Sequence, residues 1–291
     1  MNVIENAKCS AKISLFGIKS WVENRRMLML FLVIAVTVAQ FCAEVNVFAR
    51  SVDSPTNVFA VLPQLYCTDS LRLTIQFGIV LMFSNAPFHR DDSLFCVMRS
   101  GYKRWCAGQL IYILLSSVIY VFSIFLLTII FSIPALGFSS TWGKTFATMA
   151  QAGRTSGSSG YFIFSKIQLQ YTPISALLHT MALLLLLTIS MGLLIFLLGN
   201  LVGRGAGVLA ASALILLGLL PNYTQYQALA VRFSPCSLTE LRRLDSTGFT
   251  KYPDLTYAYI FLGVMTLILL TANIFIYSNK RIRFYAYNMD V

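Results

Sequence analysis

Charge is the scarcest property of this sequence: only 11% of its 291 residues are Asp, Glu, Lys or Arg, against about 25% in ordinary soluble domains. Hydrophobic residues make up 57% and the mean hydropathy is +0.72, so the chain lacks the groups a soluble fold of this size would need for its surface. Acids are rarer still, 11 against 22 bases, and there are only two His. None of the six Cys forms a C-x-x-C pair, which removes a zinc site, and no metal is expected elsewhere. His89, Asp91 and Asp92 stand close together, but with Arg90 among them they read as helix-start residues rather than ligands. No segment between the apolar runs is long enough for a folded basic domain, which excludes nucleic acid as a partner.

The long apolar runs indicate an all-α, polytopic integral membrane protein. Six spans are expected: 27–49, 71–88, 108–134, 173–198, 206–220 and 257–278. They belong to a single transmembrane domain covering 1–291. No cleavable signal peptide is evident, and the first run reads as a retained anchor behind a basic segment. With the N-terminus inside, the inner segments carry 13 Lys and Arg in 65 positions and the outer ones 8 in 95, which places both termini in the cytoplasm.

The spans themselves offer few polar side chains. Gln40, Glu44, Gln76, Asn85 and Asn273 are the candidates to line a pathway, and Arg72 is expected at the outer start of the second span. No span carries a central Asp, Lys or Arg. That argues against an ion-coupled carrier, and the spans hold neither the nucleophile–base pair of a hydrolase nor the charged ring of a channel. Gly143-Lys144-Thr145 resembles the end of a phosphate-binding loop, but Phe138 occupies the position of the first required Gly, so the chain is not expected to hydrolyse ATP itself and is not expected to be an enzyme. Gly199, Gly203 and Gly207 form two overlapping G-x-x-x-G steps, a signal for close helix packing.

The segments between spans are more informative. In residues 1–26, Lys8, Lys12, Lys19 and Arg26 fall on one stripe beside an apolar arc of Ala11, Leu15, Ile18, Trp21 and Val22, the pattern of a helix lying in the membrane interface. In the inner segment 89–107, Asp91, Asp92 and Ser93 suit a helix start, Leu94, Phe95, Val97 and Met98 supply apolar content, and Gly101 suits its end. Tyr102, Lys103, Arg104 and Trp105 then mark re-entry into the bilayer. The outer segments are 135–172, with a Gly/Ser-rich mobile tip at 154–160, and 221–256, where Ser237 and Glu240 have the spacing of a capping box. Cys67 and Cys236 both fall in expected outer loops, and a disulfide between them stays open.

This arrangement, with the run Arg99-Ser100-Gly101-Tyr102-Lys103-Arg104-Trp105, resembles the membrane subunits of type-2 ATP-binding-cassette exporters. It departs from them in carrying Asp91 and Asp92 where Glu is frequent, and Gln109 where a Lys is frequent. The resemblance implies a permease that pairs with a second copy or a sister permease in a bacterial cell membrane, surrounded by lipid. Separate ATPase subunits, which hold the ATP and Mg, would dock on the coupling segment Asp91, Asp92, Leu94, Phe95, Met98, Arg99, Gly101, Lys103 and Arg104. Spans with so little charge suit an apolar or amphipathic cargo: a membrane-active peptide, a lipid or a hydrophobic drug. The alternative is a non-transporting immunity or sensor subunit that binds a ligand through its outer loops.

Overall fold

The computed structural model describes residues 11–15, 17–18, 21, 24–86, 102–153, 161–245, 248 and 250–278. Among these, five helices are long and apolar enough to cross a membrane. They belong to α1 (Arg25–Ser51), α4 (Tyr102–Ser132), α7 (Pro173–Leu201), α8 (Arg204–Leu217) and α10 (Leu255–Ser278). Shorter elements lie between them: β1 (Thr56–Asn57), α2 (Val58–Cys67), α3 (Asp69–Phe83), β2 (Leu136–Gly137), α5 (Gly143–Ala152), α6 (Ser165–Gln170) and α9 (Gln227–Phe233).

Local chemistry sets several of these boundaries. Asn24 caps α1 by accepting the Arg26 N–H, and Thr172 caps α7 ahead of Pro173. Asn57 caps α2 through its oxygen and donates its amide nitrogen to the Ser139 and Thr141 carbonyls at 2.8 and 2.6 Å. The two-residue parallel pairing of β1 with β2, Thr56 on Leu136 and Asn57 on Gly137, fastens the end of α1 to the end of α4.

The second expected span, 71–88, is divided differently. α3 covers 15 residues, about 22 Å of helix, which falls short of the ~30 Å hydrocarbon core. Before it, inside the stretch 50–70 expected to be a loop, lies α2, in which all residues but Phe59 are buried. Thr68 separates the two helices with extended backbone at φ −82°, ψ 122°. Asp69 then opens α3, where a carboxylate favours the helix N-terminus.

α7 is the axis of the bundle. It is apolar on all faces, and α2, α3, α4, α8 and α10 pack around it. Asn273 donates to the Leu193 carbonyl and His179 Nδ1 meets Tyr259 OH at 2.9 Å, so α10 runs parallel to α7. Asn46 donates to the Phe131 carbonyl and Trp21 Nε1–H donates to Tyr112 OH, both at 2.8 Å, so α1 runs parallel to α4. The described residues of the segments 52–57, 133–153, 161–172, 218–245 and 250–254 therefore gather toward one end of the bundle, the loop-rich end. Residues 11–15 and 17–18 are helical and lie at the other, anchored by buried Trp21, with Leu15 and Lys12 exposed.

The glycine steps resolve into two roles. A Cβ on Gly207 would stand 2.6 Å from the Ile195 carbonyl oxygen, so this glycine lets α8 press against the backbone of α7. Gly203, at φ +143°, forms the turn instead and has open space around it. Gly207→Val is expected to lower stability by about 1–3 kcal/mol through overpacking against an unyielding backbone. Gly205→Val, with nothing within 4 Å of its Cβ, should not show that effect. Thermal unfolding of both variants in detergent checks this.

Candidate functional site

The least expected feature is a buried ionic cluster where α2 meets α3. Arg72 is 1% exposed and Glu240 is 0% exposed. Glu240 Oε2 is ion-paired with Arg72 Nη1 and, at 2.6 Å, with Arg243 Nε, while Oε1 is ion-paired with Arg242 Nε. Asp69 Oδ1 meets the same three guanidiniums, Arg72 at 2.8 Å, Arg242 at 3.1 Å and Arg243 at 3.4 Å. Each arginine thus bridges both carboxylates, a geometry that the planar guanidinium fork permits and an ammonium does not. Three cations face two anions, and Arg243 adds a 2.7 Å bond to the Asn222 side-chain oxygen.

Arg72 is therefore not an interfacial residue at the start of a span. It stands on the first turn of α3, one turn from Ile75, whose carbonyl accepts the Tyr120 hydroxyl at 2.6 Å. At ~1.5 Å per residue, Tyr120 lies roughly 18 Å along α4 from Ser132. The cluster therefore sits within the length of the bundle. Its other half comes from the segment 234–245, expected to be part of an outer loop. Nearly all of this segment is buried, from Ser234 to Asp245. The capping box does not form. Ser237 Oγ donates to the Gly218 carbonyl at 3.0 Å, the Glu240 carboxylate is taken by the arginines, and only a single 3-10 turn follows at Leu241–Arg243.

A polar network extends from the cluster. Gln76 Nε2 donates to Tyr66 OH and to the Cys236 carbonyl, each at 3.1 Å, and Tyr66 OH meets Thr239 Oγ1 at 2.9 Å. Lys166 donates to the Arg242 and Leu244 carbonyls, and the Arg242 guanidinium lies 4.3 Å from the Phe164 ring centre. Gln64 pairs reciprocally with the Phe164 backbone. Burial pushes the Lys166 and Arg243 pKa values down, partly opposed by Asp245 and by Asp69 respectively. Cys67 and Cys236 are buried free thiols, not a disulfide.

No family model, curated protein or solved structure matches this chain.

The five polar span residues are dispersed. Gln76 lies at the edge of the cluster, and Asn273 is buried between α10 and α7. Gln40 and Asn85 are exposed, and Glu44 is half-buried. Of the coupling segment, Asp91, Asp92, Leu94, Phe95, Met98, Arg99 and Gly101 lie outside the described residues, as does the tip at 154–160. Lys103 and Arg104 fall in the first turn of α4, with Arg104 half-buried. Thr145, from the discarded phosphate-loop pattern, bonds the Ser54 and Pro55 carbonyls and so fixes α5 to the chain after α1.

Sequence reasoning missed Asp69, Glu240, Arg242 and Arg243 as a set. A faint signal existed: Glu-Leu-Arg-Arg at 240–243 and Asp-x-x-Arg at 69–72 concentrate charge in a chain with only 11 acids. Chemically the site acts as a clamp. Both carboxylates are committed to guanidiniums, and the pairing ties the start of α3 to 234–245.

Proposed function

We propose that this chain is the permease subunit of an ATP-driven exporter in a bacterial cell membrane. It would cross six times with both termini in the cytoplasm and work with a second permease and separate ATP-binding-cassette ATPase subunits. α2 and α3 together form the second crossing, and the loop-rich end faces outward.

The observation that carries this reading is the position of α3 between two attachments. At one end Ser84 accepts a hydrogen bond from Arg26 at 3.2 Å, and the chain runs on toward the coupling segment. At the other end Asp69 and Arg72 are clamped to 234–245, between the last two spans. A push from below on α3 would thus reach the outward side through ion pairs that do not stretch readily. The helical N-terminal segment held by Trp21 fits an interfacial helix at the cytoplasmic face. The lack of charge along the other spans favours apolar or amphipathic cargo, and the arginines of the ionic cluster are engaged by its own carboxylates.

Reconstitution tests the proposal. Vesicles holding the chain with its ATPase should move a fluorescent amphipathic peptide or lipid only when ATP is supplied. Equal movement in vesicles lacking both ATPase and ATP would refute it.

A further inference from the structure

α9 (Gln227–Phe233) exposes apolar side chains that its neighbours could have covered. Tyr226 is 77% exposed, Leu229 56% and Phe233 73%, and Tyr223 in the preceding turn is 83% exposed. Tyr226, Leu229 and Phe233 follow spacings of three and four, so they share one face, while Val231, on the opposite face, is fully buried. The helix is held in place: Tyr252 OH donates to Gln227 Oε1 at 2.7 Å, Arg232 donates to the Lys251 carbonyl at 3.4 Å, and Tyr257 OH donates to the Arg232 carbonyl at 3.3 Å.

Those bonds fix its depth. α10 starts at Leu255 and its 24 residues span about 36 Å, enough to cross a ~30 Å core with its first turn at the interface. α9 is bonded to that first turn and to the residues just before it. On its other side α8 is only 14 residues, about 21 Å, so the chain through Leu220–Asn222 completes that crossing and delivers Tyr223 to the same level. The exposed face continues a lipid-facing band, with Leu216, Leu217 and Leu220 on one flank and Tyr257 and Ile260 on the other.

We infer that α9 is a membrane-interface anchor whose Tyr223, Tyr226, Leu229 and Phe233 insert into the lipid leaflet at the loop-rich end. Tyrosines suit this position because their rings are apolar and their hydroxyls reach the headgroups. Lipid fits better than a second copy of the chain. Even at ~250 Å² for each complete side chain, the exposed fractions of these four leave roughly 720 Å² to cover, short of the ~800 Å² per partner that a stable protein interface buries. Phe233 directly precedes the buried segment 234–245, so the anchor adjoins that segment in the chain.

The test uses the full chain carrying Phe233→Trp, reconstituted in phosphatidylcholine vesicles, with the unsubstituted protein as baseline for its three native Trp. The added emission should fall by at least half with lipids brominated near the headgroup and by less with lipids brominated near the chain end. Aqueous iodide should leave it nearly unchanged. Quenching by iodide and not by bromolipid overturns the inference, and so does protection from both with cross-linking to a second copy through this face. Leu229→Trp, on the same face, repeats the measurement independently, and neither side chain is part of the core.

Discussion

Glu240→Leu should lower the stability of the folded chain by about 3–5 kcal/mol, the range found when one partner of a buried ion pair is removed. The substitution leaves Arg72, Arg242 and Arg243 facing only Asp69, and Asp69 is itself 36% exposed. Arg72 and Arg243 cannot reach bulk water without disrupting the packing around them, since they are 1% and 6% exposed. Much of the loss therefore comes from stranded cations rather than from the missing attraction. A second substitution separates the two. In Arg72→Met with Glu240→Leu, two arginines face one carboxylate, so the excess of one positive charge found in the native cluster is restored. That double variant should recover to within about 2 kcal/mol of the native chain, because well-packed apolar replacements of buried pairs are often tolerated. Unfolding in mixed micelles, followed by intrinsic fluorescence, reads both. A Glu240→Leu protein within 1 kcal/mol of native, or a double variant showing the simple sum of the single losses, would count against the cluster as a clamp.

How much of this was legible in the sequence depends on the length scale of each signal. The long helices were, because about 20 consecutive apolar residues have no other stable home. The helices that hold them run beyond the expected stretches: Met27–Ala49 lies within Arg25–Ser51, Pro173–Leu198 within Pro173–Leu201, and the helix expected from 108 starts at Tyr102. α2 was not legible. Ten residues interrupted by Pro63 are too few to span, and their apolarity gains meaning only once α4 and α7 enclose them. Arg72 was misplaced for a related reason. A lone arginine near a span edge normally reaches toward water, and Asp69 beside it is itself partly exposed, so its burial also depends on Glu240, 168 positions further along. Pairings at that separation leave no periodic trace in one sequence. The glycine pattern shows the same limit, since spacing marked Gly203 and Gly207 alike while the backbone made one a turn and the other a contact.

Further along the chain, reversing Arg99, Lys103 and Arg104 to Glu is expected to uncouple the chain from the ATPase of the proposed complex. Turning three cations into anions juxtaposes like charges wherever the partner is acidic, which costs several kcal/mol in an interface. At 1.4 kcal/mol per tenfold, ATPase affinity should fall by at least about a hundredfold. Orientation in the membrane should survive, because Lys8, Lys12, Lys19, Arg25 and Arg26 still hold the first span. The unfolding of this variant should stay much closer to the native chain than that of Glu240→Leu, because Arg104 is half-buried where Glu240 is fully buried. The two substitutions then give opposite signatures. Glu240→Leu loses fold stability, whereas the reversed segment keeps it and loses ATP-dependent transport and ATPase co-purification. Transport at the native rate with Arg99, Lys103 and Arg104 all reversed would show that the ATPase docks elsewhere. α3 would then be a packing helix with a buried ionic end rather than a transmitting one.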